Sequence, residues 1–155
     1  MNSAHNQPVV GPMSFDDGTI NFPTGKLPLK TLKGIFDVLP FEFDFVDADN
    51  QFVWYSDNGH RQARREPSQV GHPVSNCHPA QAVDKVMAVL NALKQGKVDK
   101  LVMPYQKNGH TNYNVYYAVR DDDANYLGCL ELTIDPTVFD LDAATSIAQI
   151  KNLFA

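Results

Sequence analysis

The chain has little cysteine, little positive charge and no long apolar run. Only two cysteines, Cys77 and Cys129, occur among its 155 residues. They make neither a disulfide framework nor a CxxC pair, so a reducing, cytoplasmic setting is the simplest expectation. Lysine and arginine total 13 against 18 acidic residues, a formal net charge of −5. A general nucleic-acid binder needs a basic face to displace counterions, and this balance argues against one. No stretch approaches the roughly 18 apolar residues of a membrane span. The polar start, Met1 to Pro12, has no apolar core of a secretion signal. Paired carboxylates, a glycine-rich phosphate loop and a triad signature are all missing, so no enzyme is expected.

What is present suits one globular domain with tails: 43% hydrophobic and 20% charged residues. The clearest element lies within Val70–Gly96. Val83, Val86, Met87, Leu90 and Leu93 recur at helical spacing, which gives Gln81–Gln95 one apolar face. Pro79 suits the first helical position, and Gly96 suits a left-handed stop.

Before that helix, residues 1–24 read as a flexible arm. Pro8, Pro12 and Pro23, with Gly11 and Gly18, break any period there. Such an arm is a draped leader or a segment that wraps a partner. Leu29, Leu32, Ile35, Phe36 and Leu39 form a stripe that predicts a helix over Lys26–Leu39, ended by Pro40. It either packs on its own sheet or also serves a dimer. Phe41–Val46 alternates phenylalanine with acid, as a strand does, and Gln51–Ser56 returns as its hairpin partner. Arg61, Arg64 and Arg65 then cluster near Asp57 and Glu66. They read as a solvated group, with anion binding as the alternative.

After the long helix, three strands are expected: Val98–Tyr105, Tyr113–Arg120 and Tyr126–Ile134. Pro104 cannot donate to a ladder, which places the first of these at an edge. Asn108-Gly109 is a strong hairpin signal. Both faces of the last two strands are apolar, so both are expected to be covered. Residues 136–155 read as a C-terminal helix capped by Asp140 or Asp142, with Ile147, Ile150, Leu153 and Phe154 as its stripe.

This order, with the phrases FVDADNQFVWYS, QVGHPVSNCHPAQAV and YYAVRDDDANYLGCLEL, resembles a PAS sensory domain over about Thr24–Thr133. Asn76-Cys77-His78-Pro79 and Ala118-Val119-Arg120-Asp121 narrow the resemblance to the PAS subtype found beside hemerythrin-like domains in bacterial and archaeal proteins. The chain departs from that subtype at Ala80, Ala63 and Met103-Pro104. The resemblance implies an α+β fold over residues 25–135: a five-stranded antiparallel sheet in order 2-1-5-4-3, one long helix and several short ones. It implies a sensory module, expected here to stand alone, that binds a small-molecule ligand and signals to a protein partner. A homodimer through Leu32, Ile35 and Phe36 is expected, because such modules often pair through the helix before the first strand.

A cavity in such a fold would draw its apolar lining from Phe43, Phe45, Trp54, Val83, Val86, Met87 and Leu90. Its polar points would come from Cys77, His78, Tyr116, Tyr117 and Glu131. The same residues also suit a filled core. His78 has three readings. It is a structural residue at the helix start, accepting a backbone N–H while neutral. It is a haem axial ligand, as in haem-binding relatives. Or it is the base for a Cys77 nucleophile, which lacks an orienting third group. Cys77, His78, His72 and His60 have no metal-ligand spacing.

Overall fold

The computed structural model describes residues 18–139 and 143–155. The arm expected over residues 1–24 falls mostly outside that range. Within its last part, β1 (Thr19–Phe22) pairs antiparallel with β2 (Gly25–Pro28) in a separate two-stranded hairpin. Because Gly25–Pro28 is a strand, α1 is Leu29–Val38, three residues shorter at its start than the apolar stripe predicts. Pro28 takes the N-cap in an extended conformation.

The main sheet is built from β3 (Glu42–Asp47), β4 (Gln51–Tyr55), β5 (His72–Pro73), β6 (Lys100–Lys107), β7 (His110–Arg120) and β8 (Tyr126–Ile134). Its order is β5-β4-β3-β8-β7-β6, antiparallel throughout. This is the expected five-strand order with the two-residue β5 added beyond β4. Strand β6 pairs only with β7, so Pro104 sits on an edge as its missing N–H requires. That strand starts two residues later than Val98. Asn108 and Gly109 both have positive φ, 55° and 79°, the backbone of a tight two-residue hairpin turn.

Helix α2 (Ala80–Lys94) follows a short 3-10 turn, Val74–Cys77. Pro79 is its N-cap, one position earlier than expected. At the far end Gly96 has φ +70°, and its N–H donates to the Leu93 carbonyl while Lys97 N–H donates to that of Ala92. That paired closure is the reason glycine stands there. The Arg120 guanidinium donates to the Leu93 carbonyl at 2.9 Å and lies over the Tyr126 ring, which ties the end of α2 to the sheet.

Helix α2 covers one face of the sheet, here the inner face. Val46, Phe52, Val74, Leu90, Leu93 and Cys129 form the core there. Helix α1 covers the outer face, where Phe36 meets Phe43 and Trp54 edge-on at 5.6 and 5.5 Å. A register shift between Phe45 and Val46 lets β4 turn Phe52 and Tyr55 to one side, where their rings stack 6.1 Å apart. Helix α3 (Ala143–Leu153) follows a 3-10 turn over Pro136–Phe139. The expected caps Asp140 and Asp142 lie outside the described residues, and Ile147, Ile150, Leu153 and Phe154 are exposed. No helix among the described residues is long and apolar enough to cross a membrane.

Candidate functional site

Between α2 and the inner face lies a cavity of about 200 Å³. Helix α2 contributes Ala82, Lys85, Val86, Val89 and Leu90, which share one side by their three- and four-residue spacing. The sheet contributes Val46, Met103, Asn114, Tyr116, Cys129 and Glu131, and the turn before α2 contributes Val74 and His78. Strand alternation explains the sheet set, since 114 and 116 on β7, and 129 and 131 on β8, point to the same side. The walls are mostly apolar, with polar groups at His78, Lys85, Asn114, Tyr116 and Glu131.

Five of the expected lining residues therefore meet: His78, Val86, Leu90, Tyr116 and Glu131. Met87 and Cys77 pack against the core cluster beside the cavity, and Val83 is half-buried on α2 outside the lining. Phe43, Phe45, Trp54 and Tyr117 lie on the outer face, because they alternate with inner-face neighbours. There Phe45, Trp54, Leu29, Leu32, Phe36, Val119 and Leu130 line a more open groove of about 670 Å³. Aromatic residues attract a pocket assignment by composition alone, and only sheet parity separates the two faces. Applied outward from Glu131 and Tyr116, the same parity would have found Cys129 and Asn114. Helical spacing from Val86 would have found Ala82 and Val89.

His78 does not accept a free helix N–H. Its Nδ1 lies 3.0 Å from the Val74 carbonyl oxygen, which only accepts, so Nδ1 carries the proton and donates. Nε2 is left as the nitrogen with no protein partner in that bond. Burial pushes the Cys77 thiol up; nearby Arg65 works against this and Asp44 with it. A raised thiol is the reverse of what a nucleophile needs. No group of three or more His, Cys, Asp or Glu among the described residues is arranged to hold a metal ion.

The arginines are not a solvated group. Glu42 and Asp44, only 2% and 4% exposed, point to the inner face. Arg61 Nη2 donates to Glu42 Oε1 at 2.9 Å and to Asp44 Oδ1 at 2.8 Å. Arg65 donates to Asp44 Oδ2 through Nε and Nη2, at 3.0 and 2.8 Å. The backbone N–H groups of Gln62 and Ala63 take Glu42 Oε2. Only Arg64 is exposed, paired with Glu66. His110, just after the Asn108-Gly109 turn, is part-buried, and its Nε2 lies 2.8 Å from Asp135 Oδ1.

Glu131 sits beside this network. Burial, then the Asp44 charge, push its carboxyl up to about 7; Arg65 and the Tyr116 hydroxyl work the other way. Burial and Glu131 push the Tyr116 phenol well up, and the Cys129 thiol to about 12.

The model of the PAS domain matches residues 32–137. A solved C-terminal domain from Streptococcus mutans is similar at 35% identity, covering 79% of this chain and 96% of that one, with a TM-score of 0.72. The PAS domain of a Colwellia psychrerythraea protein aligns at 14% identity over 69% of this chain and 95% of that one, with a TM-score of 0.52. A LuxR-type receptor dimer, Vibrio cholerae VqmA, aligns at 17% identity over 70% of this chain and 51% of that one, with a TM-score of 0.50. No curated protein matches the sequence. The chain belongs to the PAS domain family. Domains of that family are sensory modules in general, typically without catalytic activity of their own.

Proposed function

We propose that this chain is a ligand-sensing module of the cytoplasm that binds a small molecule between α2 and the sheet and signals by protein contact. The observation that carries the reading is the cavity of about 200 Å³, mostly apolar-walled with His78, Lys85, Asn114, Tyr116 and Glu131 on it. A cavity of about 150 Å³ takes one benzene ring, so the fitting ligand has one ring or a compact branched skeleton. Strand β8 links the two faces. It presents Cys129 and Glu131 to the cavity and Leu130 to the groove under α1. A shift of β8 on binding would reach α1 through that shared strand.

The Asn76-Cys77-His78-Pro79 phrase supports the finer assignment to the subtype found beside hemerythrin-like domains. The partner reading includes a second copy of the chain through α1. Leu32 and Phe36 turn toward the chain's own sheet, which leaves Ile35, 40% exposed, as the outward contact of the expected three. Haem fits less well. His78 Nδ1 is anchored as an axial histidine's would be, but a four-pyrrole macrocycle is far larger than this cavity.

A fragment screen of single-ring compounds by backbone amide NMR tests the reading. Binding fragments should shift amides of α2, β7 and β8, and Ala82→Phe, which fills the cavity, should abolish the shifts while keeping the fold. A screen in which no fragment perturbs those strands would refute it.

A further inference from the structure

Resting on the cavity reading above, we infer that the pocket selects a monocationic ligand, a protonated amine or amidine on a one-ring skeleton, whose charge is held by Glu131. The ground is an unmatched charge in a closed network. Three carboxylates lie together on the inner face: Glu42, Asp44 and Glu131. Two guanidiniums, Arg61 and Arg65, lie among them. Every oxygen of Glu42 and Asp44 has a donor, as described above, and every ion pair the arginines make there goes to those two residues. Among the described residues no ion pair reaches Glu131.

Geometry makes the surplus negative charge useful. Glu131 is directly opposite Asp44 on β3 and Tyr116 on β7, so the sheet holds it between an acid and a phenol. Of the three carboxylates it is the one on the cavity wall. Like charges directly opposed across a ladder are unfavourable, and a buried carboxylate that has the Tyr116 hydroxyl but no ion pair costs more still. A proton or a cation inside the cavity relieves both. The groups that face Glu131 are Asp44 and Glu42 on β3, Arg65 from the loop after β4, Tyr116 on β7 and Cys129 on its own strand. Helix α2 adds Lys85, exposed at the cavity mouth, and His78 stands before its start. A ligand cation that meets the carboxylate displaces its proton to solvent, so binding strengthens as pH rises through the range where Glu131 ionises.

Calorimetric titration with two probes of equal shape tests this: benzylamine, a cation, and benzyl alcohol, which is neutral. At about pH 8 benzylamine should bind about tenfold more tightly, the ratio that one charge-assisted contact supplies. The preference should shrink severalfold at about pH 6, and Glu131→Gln should remove it, bringing the two probes to about equal affinity. Should the variant not fold, the wild-type pH series decides by itself. Benzyl alcohol binding as tightly as benzylamine at both pH values overturns the inference and leaves the cavity reading standing. Retention of the preference in Glu131→Gln, or in Ala82→Phe, also overturns it. If neither probe binds the wild type, the cavity reading falls and this inference with it.

Discussion

Gly128 lies flat against Val46: a Cβ built on Gly128 would stand 2.2 Å from the Val46 carbonyl oxygen and 2.7 Å from the Phe45 ring. Its φ of +149° is also one that other residues rarely adopt. Strand β8 can therefore pair with β3 at this point only if residue 128 has no side chain.

Gly128→Ala should accordingly destabilise the protein by about 3 kcal/mol or more, from backbone strain plus the steric clash. Urea denaturation monitored by circular dichroism measures it. A loss below about 1 kcal/mol would mean that the β3–β8 ladder yields at that residue.

Leu90 and Leu93 offer a paired test of packing. Both are buried, at 4% and 0% exposure, but only Leu90 borders the cavity. Each truncation to alanine should cost about 2–5 kcal/mol. Leu93→Ala should cost more, since Leu90 already has empty space on one side and loses fewer contacts. Equal unfolding midpoints for the two variants would contradict the placement of the cavity.

Arg61 and Arg64 differ in burial though not in charge. Arg61→Ala strips donors from Glu42 and Asp44 and from the carbonyls of Ser56 and Ala63. It should cost about 3–5 kcal/mol, because it leaves buried acid uncompensated. Arg64→Ala removes only an exposed pair with Glu66 and should change stability by under about 0.5 kcal/mol. Similar losses in the two would sink this account of the network.

Glu131 also predicts a pH dependence of stability. Its folded-state value, about 7, lies above the ordinary 4.5. Below the unfolded value both states hold the proton and the favourable contribution is complete. As pH rises through the folded value that contribution is lost, because only the unfolded chain ionises freely. Wild type should therefore lose stability relative to Glu131→Gln between about pH 4.5 and pH 7, by an amount on the order of 3 kcal/mol. Parallel stability curves for the two proteins across that window would show that Glu131 is not held in this way.

His78 donates to the Val74 carbonyl and does not cap α2. His78→Ala should then cost about 1 kcal/mol, the worth of one hydrogen bond. His78→Asn should recover little of it, since an asparagine before the Pro79 N-cap has no helix N–H to accept. Full recovery in the asparagine variant would restore the capping role.

The sequence by itself determined five of the eight strands among the described residues, while their order came from the family resemblance. Alternation over Phe41–Val46, the apolar run of Tyr126–Ile134, the Asn108-Gly109 turn, Pro104 at an edge and the apolar stripe of α2 are local signals, set by backbone sterics and side-chain parity. The phrase resemblance turned those elements into a PAS fold. Tertiary structure decided what the local pattern leaves open. Glu42 and Asp44 have the spacing of an exposed strand face. They are buried because Arg61 and Arg65, about twenty positions later, fold over them. The helix expected over Lys26–Leu39 begins only at Leu29, the first residue of its apolar stripe, because pairing with Thr19–Phe22 took Gly25–Pro28 into a hairpin. Phe43, Phe45, Trp54 and Tyr117 look like pocket aromatics in sequence. The sheet puts them opposite the cavity, because a side chain's face follows from its strand's register with distant neighbours, and that is a property of the assembled ladder.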